Sequence, residues 1–96
     1  MLKVKNISNL SLIQQNQESI VSDMDGETVM MSIQNGKYYN LGTIGGLIWN
    51  KIADPITFDD LIKGLVKEYD IEKIECEKQV ISFLESLYKE KLITFL

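Results

Sequence analysis

Two dipeptides, Asp25-Gly26 and Asn35-Gly36, stand ten residues apart and are flanked by β-branched, Met and Tyr residues. Glycine has no Cβ to clash, and Asp and Asn tolerate the left-handed backbone region, so each dipeptide can close a tight hairpin. Turns at that spacing between apolar runs predict a three-stranded antiparallel meander over 19–23, 27–33 and 37–41. Loop length then decides which side chains meet. Two-residue loops would set Ile33 opposite Tyr38 and Met31 opposite Asn40, leaving Leu41 on the face away from Val29 and Ile33. Three-residue loops, with each Gly left-handed in a G1 bulge, set Ile33 opposite Lys37, Met31 opposite Tyr39, and Val29 opposite both Leu41 and Val21. One face then collects Val21, Val29, Met31, Tyr39 and Leu41, and the three-residue loops are the expectation.

After Leu41 the apolar period changes from two to 3.6. Thr43 is placed to cap a helix reaching about Ile52 and burying Ile44, Leu47, Ile48 and Ile52. Gly45 and Gly46 in its first turn would cost about 1 kcal/mol each against Ala, which predicts a close approach of helix to sheet there. Asp54-Pro55 ends the helix. Thr57-Phe58-Asp59-Asp60 reads as a capping box opening a second helix, whose apolar stripe is Phe58, Leu61, Ile62, Leu65, Val66 and Tyr69. A third helix over about 72–91 opens with Glu72, Glu75 and Glu77 and closes with Lys89 and Lys91, the order that suits the helix dipole. Cys76, Val80, Phe83, Leu84 and Leu87 form one stripe on it, and Ile74, Ile81 and Tyr88 a second, roughly 120° round. One stripe suffices for a core, so the second needs the sheet, another subunit or a ligand. Residues 92–96 are expected to add a brief strand or to cover the base of the core. Residues 1–18, rich in Asn, Gln and Ser, predict a mobile segment with one short strand near 10–14, which leaves 19–96 as the folded domain.

Ninety-six residues with 45% apolar and 25% charged content make one domain, of a size that hides roughly 60 to 70% of its unfolded surface without a disulfide or a structural metal. Fourteen acidic residues stand against ten basic ones, all Lys, for a net charge of −4. Nucleic-acid binding needs clustered cations that release counterions, and these are thinly spread among acids. A winged-helix DNA-binding regulator is therefore the weaker reading: its third helix would carry Glu72, Glu75, Glu77, Glu85 and Glu90 into the groove. The chain has no histidine, which removes the commonest general base and zinc ligand, and no nucleophile–base pair stands out. A protein without catalysis and without a cofactor is expected. Cys76 has no partner for an internal disulfide, no apolar run approaches the ~18 residues of a membrane span, and Met-Leu-Lys-Val-Lys does not open like a secretory signal. A cytoplasmic setting away from membranes is expected.

Asp23-Met24-Asp25-Gly26-Glu27 opens like a calcium loop but lacks the third acidic ligand and the closing glutamate, and a hairpin accounts for it. Gly42, Gly45 and Gly46 lie between strand and helix without either nucleotide fingerprint, so packing is preferred to phosphate binding. Trp49 and Cys76 read as core residues. The strand 37–41 is different. It ends the meander with no successor, exposes Tyr38 and is guarded by Lys37 alone. An edge strand beside an amphipathic helix is a groove for an extended peptide, whose own backbone supplies the missing hydrogen bonds. The candidate peptide-binding set is Lys37, Tyr38, Tyr39, Asn40 and Leu41 on the strand, with Ile74, Glu77, Ile81, Leu84, Glu85 and Tyr88 along the third helix.

The combination of Asp25-Gly26-Glu27, Val29-Met30-Met31, Gly36-Lys37-Tyr38-Tyr39-Asn40-Leu41, residues 46–49, Thr57, Glu68-Tyr69-Asp70, Val80, Phe83-Leu84 and Leu92 resembles the PqqD-like family of peptide chaperones, also called RiPP recognition elements, over about residues 20–93. Two positions depart from the pattern: Gly42 stands where a second Asn-like residue is usual, and Lys91 replaces the glycine that commonly ends the last helix. The resemblance implies an α+β, winged-helix-like fold, a three-stranded antiparallel sheet followed by three helices. It also implies binding of the leader segment of a ribosomally made precursor peptide and delivery of it to modifying enzymes. The Gly-Lys-Tyr-Tyr-Asn-Leu strand and the Ile-Trp helix are most similar to the small B1 proteins of lasso-peptide pathways, which work with a leader peptidase and an ATP-dependent macrolactam synthetase. Members that serve radical enzymes, as in pyrroloquinoline quinone assembly, share the fold and are the alternative. Lasso leaders often carry a tyrosine and, three residues on, a proline, both suited to an apolar groove.

Overall fold

The structure, a computed structural model, describes residues 11–16 and 19–95. The elements run β1 Leu12–Gln15, β2 Ser19–Met24, β3 Glu27–Ser32, β4 Lys37–Leu41, α1 Gly42–Lys51, β5 Ile56–Thr57, α2 Phe58–Tyr69, α3 Lys73–Lys89 and β6 Ile93–Phe95. The expected meander is the antiparallel sheet β2-β3-β4, and three helices follow it in the winged-helix-like α+β arrangement. A second antiparallel sheet, β5-β1-β6, stands beside it and sets Ile13 opposite Ile56 and Phe95. The two-residue strand β5 is too short to show a period and was not foreseen. The mobile segment expected at the start of the chain falls mostly on residues 1–10, 17 and 18, outside the described residues.

Neither hairpin loop has three residues. The first has two: Met24 pairs with Glu27, and Asp25 and Gly26 take φ values of 56° and 83°, the positive pair that a type I′ turn requires. The second has four, because Ser32 pairs with Lys37 and the loop closes on Ser32, whose carbonyl accepts from the Gly36 N–H at 2.9 Å and whose hydroxyl accepts from the Asn35 N–H at 3.0 Å. Both changes shift the register by one residue, and in a strand one residue exchanges the faces. Met30, fully buried, therefore points inward with Tyr39 and Leu41, and Val21 lies in the same row. Val29 and Met31 point outward, against the expectation. The error has a plain source: Val29-Met30-Met31 is apolar without a break and carries no alternation to read.

The helices follow their end signals more closely. Thr57 Oγ1 accepts from the Asp60 N–H at 3.1 Å, as a capping box requires, and Asp70 ends α2 in the left-handed region at φ 52°. Thr43 is not a cap. The helix α1 begins one residue earlier, and the Thr43 hydroxyl donates instead to the Gly26 carbonyl at 3.1 Å, tying the helix to the first hairpin turn. The paired glycines of α1 mark the close approach expected of them: a Cβ on Gly46 would run into the Thr28 side chain, and one on Gly45 would meet the Phe83 ring at 2.9 Å. Beyond α3, Lys91 sits at φ 62°, its N–H donates to the Tyr88 carbonyl at 3.0 Å, and the Leu92 N–H donates to the Leu87 carbonyl at 2.9 Å. That is a Schellman ending with a lysine in the place glycine usually fills.

The core lies between the two sheets and the helices. Ile13 and Ile93 enter it from the second sheet, Met30 from the first, and Ile48, Trp49, Leu61, Leu65, Val80, Leu84 and Leu87 from the helices. Cys76 is buried among them, and that burial, with the nearby Glu77 carboxylate, raises the pKa of its thiol. It sits there as a small apolar residue.

Candidate groove at the edge of the meander

Sheet order makes β4 an edge: among the described residues it pairs with β3 on one side, and its other side carries no ladder. Side chains alternate along it. Tyr39 and Leu41 point toward the helices and are half-buried, whereas Tyr38, 74% exposed, and Asn40 point away. Lys37 lies in the inward row but reaches out to solvent at the end of the strand.

The helix that faces this edge is α3, and it presents one flank. Phe83 lies against Gly45 of α1, Gln79 and Phe83 share a cavity wall with Leu41, and Glu90, just past the end of α3, is bound by Tyr39. At about 100° per residue, Gln79, Phe83 and Glu90 fall on one stripe, and Ile81 and Tyr88 lie roughly 160° away from Phe83 and Glu90. Tyr88 confirms the direction, since its ring packs on Phe95 of β6 with centroids 5.3 Å apart. The strand half of the predicted set thus lines the edge, and the helix half does not meet it. Leu84 is wholly buried in the core, Ile74 is 65% exposed, and Glu77, Ile81, Glu85 and Tyr88 are on or near the far flank of α3. Gln79 and Glu90, outside the expected set, face the edge instead, together with Phe83, which is expected in the core stripe. Periodicity tells which residues share a helix face, but not which face a distant strand will see. The available signal was Gly45, whose missing Cβ leaves room for the Phe83 ring.

The two ends of the edge differ in chemistry. At the Leu41 end a cavity of about 180 Å³ opens between α1, α2 and α3, lined by Leu41, Ile44, Tyr69, Ile71, Gln79 and Phe83 above buried core residues. Its wall is mostly hydrocarbon and can take an apolar or aromatic side chain. At the Lys37 end the groove is closed by a polar clasp. The Tyr39 hydroxyl donates to Glu90 Oε1 at 2.7 Å, and Lys37 Nζ stands 3.4 Å from the same oxygen. Asn35 Nδ2 donates both to the Tyr39 hydroxyl at 3.0 Å and to the Glu90 carbonyl at 2.8 Å. The tyrosine hydrogen bond first, and then the lysine, hold the Glu90 carboxyl below its usual pKa. No group of His, Cys, Asp or Glu that could hold a metal occurs among the described residues, and none of the described helices is long and apolar enough to cross a membrane.

Comparison with known proteins agrees with this architecture. The family model for coenzyme PQQ synthesis protein D (PqqD) matches residues 27–93. The fold is similar to that of TbiB1 in complex with the TbiA(beta) leader peptide, at a TM-score of 0.73 and 21% identity, over 83% of this chain and 93% of that one. It is similar also to a lasso peptide synthetase B1 complexed with the leader peptide, at a TM-score of 0.72 and 22% identity, over 85% of this chain and 96% of that one. No curated protein matches the sequence.

Proposed function

The chain belongs to the PqqD family, and on that premise we propose that it binds the leader segment of a ribosomally made precursor peptide by adding it as a strand along β4. The observation that carries this reading is the juxtaposition of a backbone edge, residues 37–41, whose outer side pairs with no strand among the described residues, with an apolar cavity at its Leu41 end. An extended peptide on that edge satisfies its own backbone and that of β4, while alternate side chains fall toward the cavity wall of Leu41, Gln79 and Phe83. Added antiparallel, it runs from Leu41 toward Lys37, with its N-terminal side over the cavity and its C-terminal side leaving past the clasp. A tyrosine is the right size and polarity for the cavity. The two similar B1 proteins are each complexed with a leader peptide, which supports this occupant over other extended peptides.

The protein performs no chemistry on the peptide. It raises the local concentration of the precursor at a leader peptidase and a macrolactam synthetase, an effect of tethering rather than of catalysis. Ordering a flexible leader offsets much of the contact energy, so the affinity is on the order of micromolar or somewhat tighter. Fluorescence anisotropy with a labelled leader peptide tests the reading. Phe83→Glu, which sets a charge against the cavity, is expected to weaken binding by ~10-fold or more, while Ile81→Glu on the far flank changes it little. The reverse ranking would move the site to the other side of α3.

A further inference from the structure

The cavity at the Leu41 end of the groove is walled by hydrocarbon except for the thiol of Cys76 and two polar side chains, Tyr69 and Gln79. Those two differ in what they can read. A phenol both donates and accepts, so Tyr69 separates one polar tip from another only weakly. Gln79 is committed. Its Nε2 donates to Glu75 Oε1, one turn earlier on α3, at 3.2 Å. An ionised carboxylate only accepts, so the atom of the Gln79 amide that faces Glu75 must be the nitrogen. The amide is planar, and its oxygen therefore turns away from Glu75. No donor among the described residues reaches that oxygen.

We infer that Gln79 is a specificity-determining residue of the groove and Glu75 the residue that positions it: together they offer the cavity a bare acceptor and select an aromatic leader side chain that ends in a hydrogen-bond donor. The inference rests on the leader-binding reading and deepens it. Directly opposite residues of an antiparallel pair share a face of the sheet, so the leader residue opposite Leu41 points inward with Leu41, toward Gln79 and Phe83. Its body meets the Phe83 ring and aliphatic wall, and its tip meets the amide oxygen. A phenylalanine fills the same space but strips water from that oxygen without replacing the bond, which is the more costly way to lose a hydrogen bond. An acceptor at the tip is worse, because it sets lone pair against lone pair. Discrimination here is therefore chemical as well as steric, and it depends on Glu75 although Glu75 itself does not line the cavity.

The test uses the full chain and the leader encoded with the precursor, after an alanine scan has found the aromatic residue whose loss costs the most affinity. Three labelled versions carry tyrosine, phenylalanine or 4-cyanophenylalanine there, and anisotropy gives each affinity. Wild-type protein should bind the tyrosine version ~5-fold more tightly than the phenylalanine version and the cyano version no better than phenylalanine. Gln79→Met, which keeps the length and removes the acceptor, should bring tyrosine and phenylalanine within twofold. Glu75→Lys replaces an acceptor with a donor. The lysine takes the Gln79 oxygen, turns the amide nitrogen to the cavity, and should raise the cyano version ~5-fold relative to phenylalanine. Comparing two neutral peptides on one variant cancels the change in net charge, and circular dichroism checks both folds. Equal wild-type affinity for tyrosine and phenylalanine, or a preference that survives in Gln79→Met, would overturn the role of Gln79. An unchanged cyano-to-phenylalanine ratio in Glu75→Lys would overturn the positioning by Glu75. If wild-type protein binds none of the three, the groove reading falls instead.

Discussion

The Tyr39 hydroxyl and the Glu90 carboxylate, fifty-one residues apart in sequence, meet at 2.7 Å and fasten the edge strand to the end of α3. The same contact, with Lys37 and Asn35 beside it, closes one end of the groove.

Acid should loosen that clasp. Glu90 is held below its ordinary pKa in the folded state by Tyr39 and then by Lys37. A depressed folded pKa contributes stability that is present above the unfolded carboxylate value of about 4.3 and is lost as pH falls through the folded pKa. The urea midpoint of wild-type protein should exceed that of Glu90→Gln at pH 7, and the gap should shrink below pH ~4. A gap independent of pH would mean that the carboxylate is not what the clasp uses.

The glycines of the helices make opposite predictions. Gly46→Ala drives a Cβ into Thr28 and should destabilise the protein by about 1 to 3 kcal/mol. A Cβ on Gly64 would meet only Lys51 Nζ, at 3.6 Å, so Gly64→Ala should stabilise by up to about 1 kcal/mol through helix propensity. Denaturant melts of the two variants check both signs.

Leu84→Ala removes a side chain that is fully buried between the helices and the sheets, and the expected loss is about 2 to 5 kcal/mol. A loss under ~0.5 kcal/mol would mean that the core face of α3 lies elsewhere.

Lys91→Gly should raise stability by about 1 kcal/mol, because a left-handed φ strains a lysine and suits a glycine. Equilibrium urea unfolding checks this; a loss would show that the lysine side chain contributes more than its backbone costs.

Much of this fold was legible in the residues, and the limits have physical causes. Asp25-Gly26 and Asn35-Gly36 located both turns, and Thr57 with Asp60 located a helix start, because each depends on chemistry within four residues. Loop length was not legible. At the second turn it depended on Ser32, whose buried hydroxyl organises a four-residue loop, a role indistinguishable in sequence from an exposed serine in a strand. The edge strand of the candidate site could be read because a meander must end somewhere. The helix wall could not, because Ile74, Ile81 and Tyr88 and the pair Gln79 and Phe83 are equally consistent with an amphipathic α3 until β4 and β6 are placed on either side of it.

Amide hydrogen exchange with and without a leader peptide tests the central claim most directly. Strand addition to β4 predicts that binding slows exchange within Lys37–Leu41 and leaves Ser19–Met24, the other edge of the same sheet, unchanged. Protection confined to Ser19–Met24, or protection at neither edge while the peptide is demonstrably bound, would contradict it.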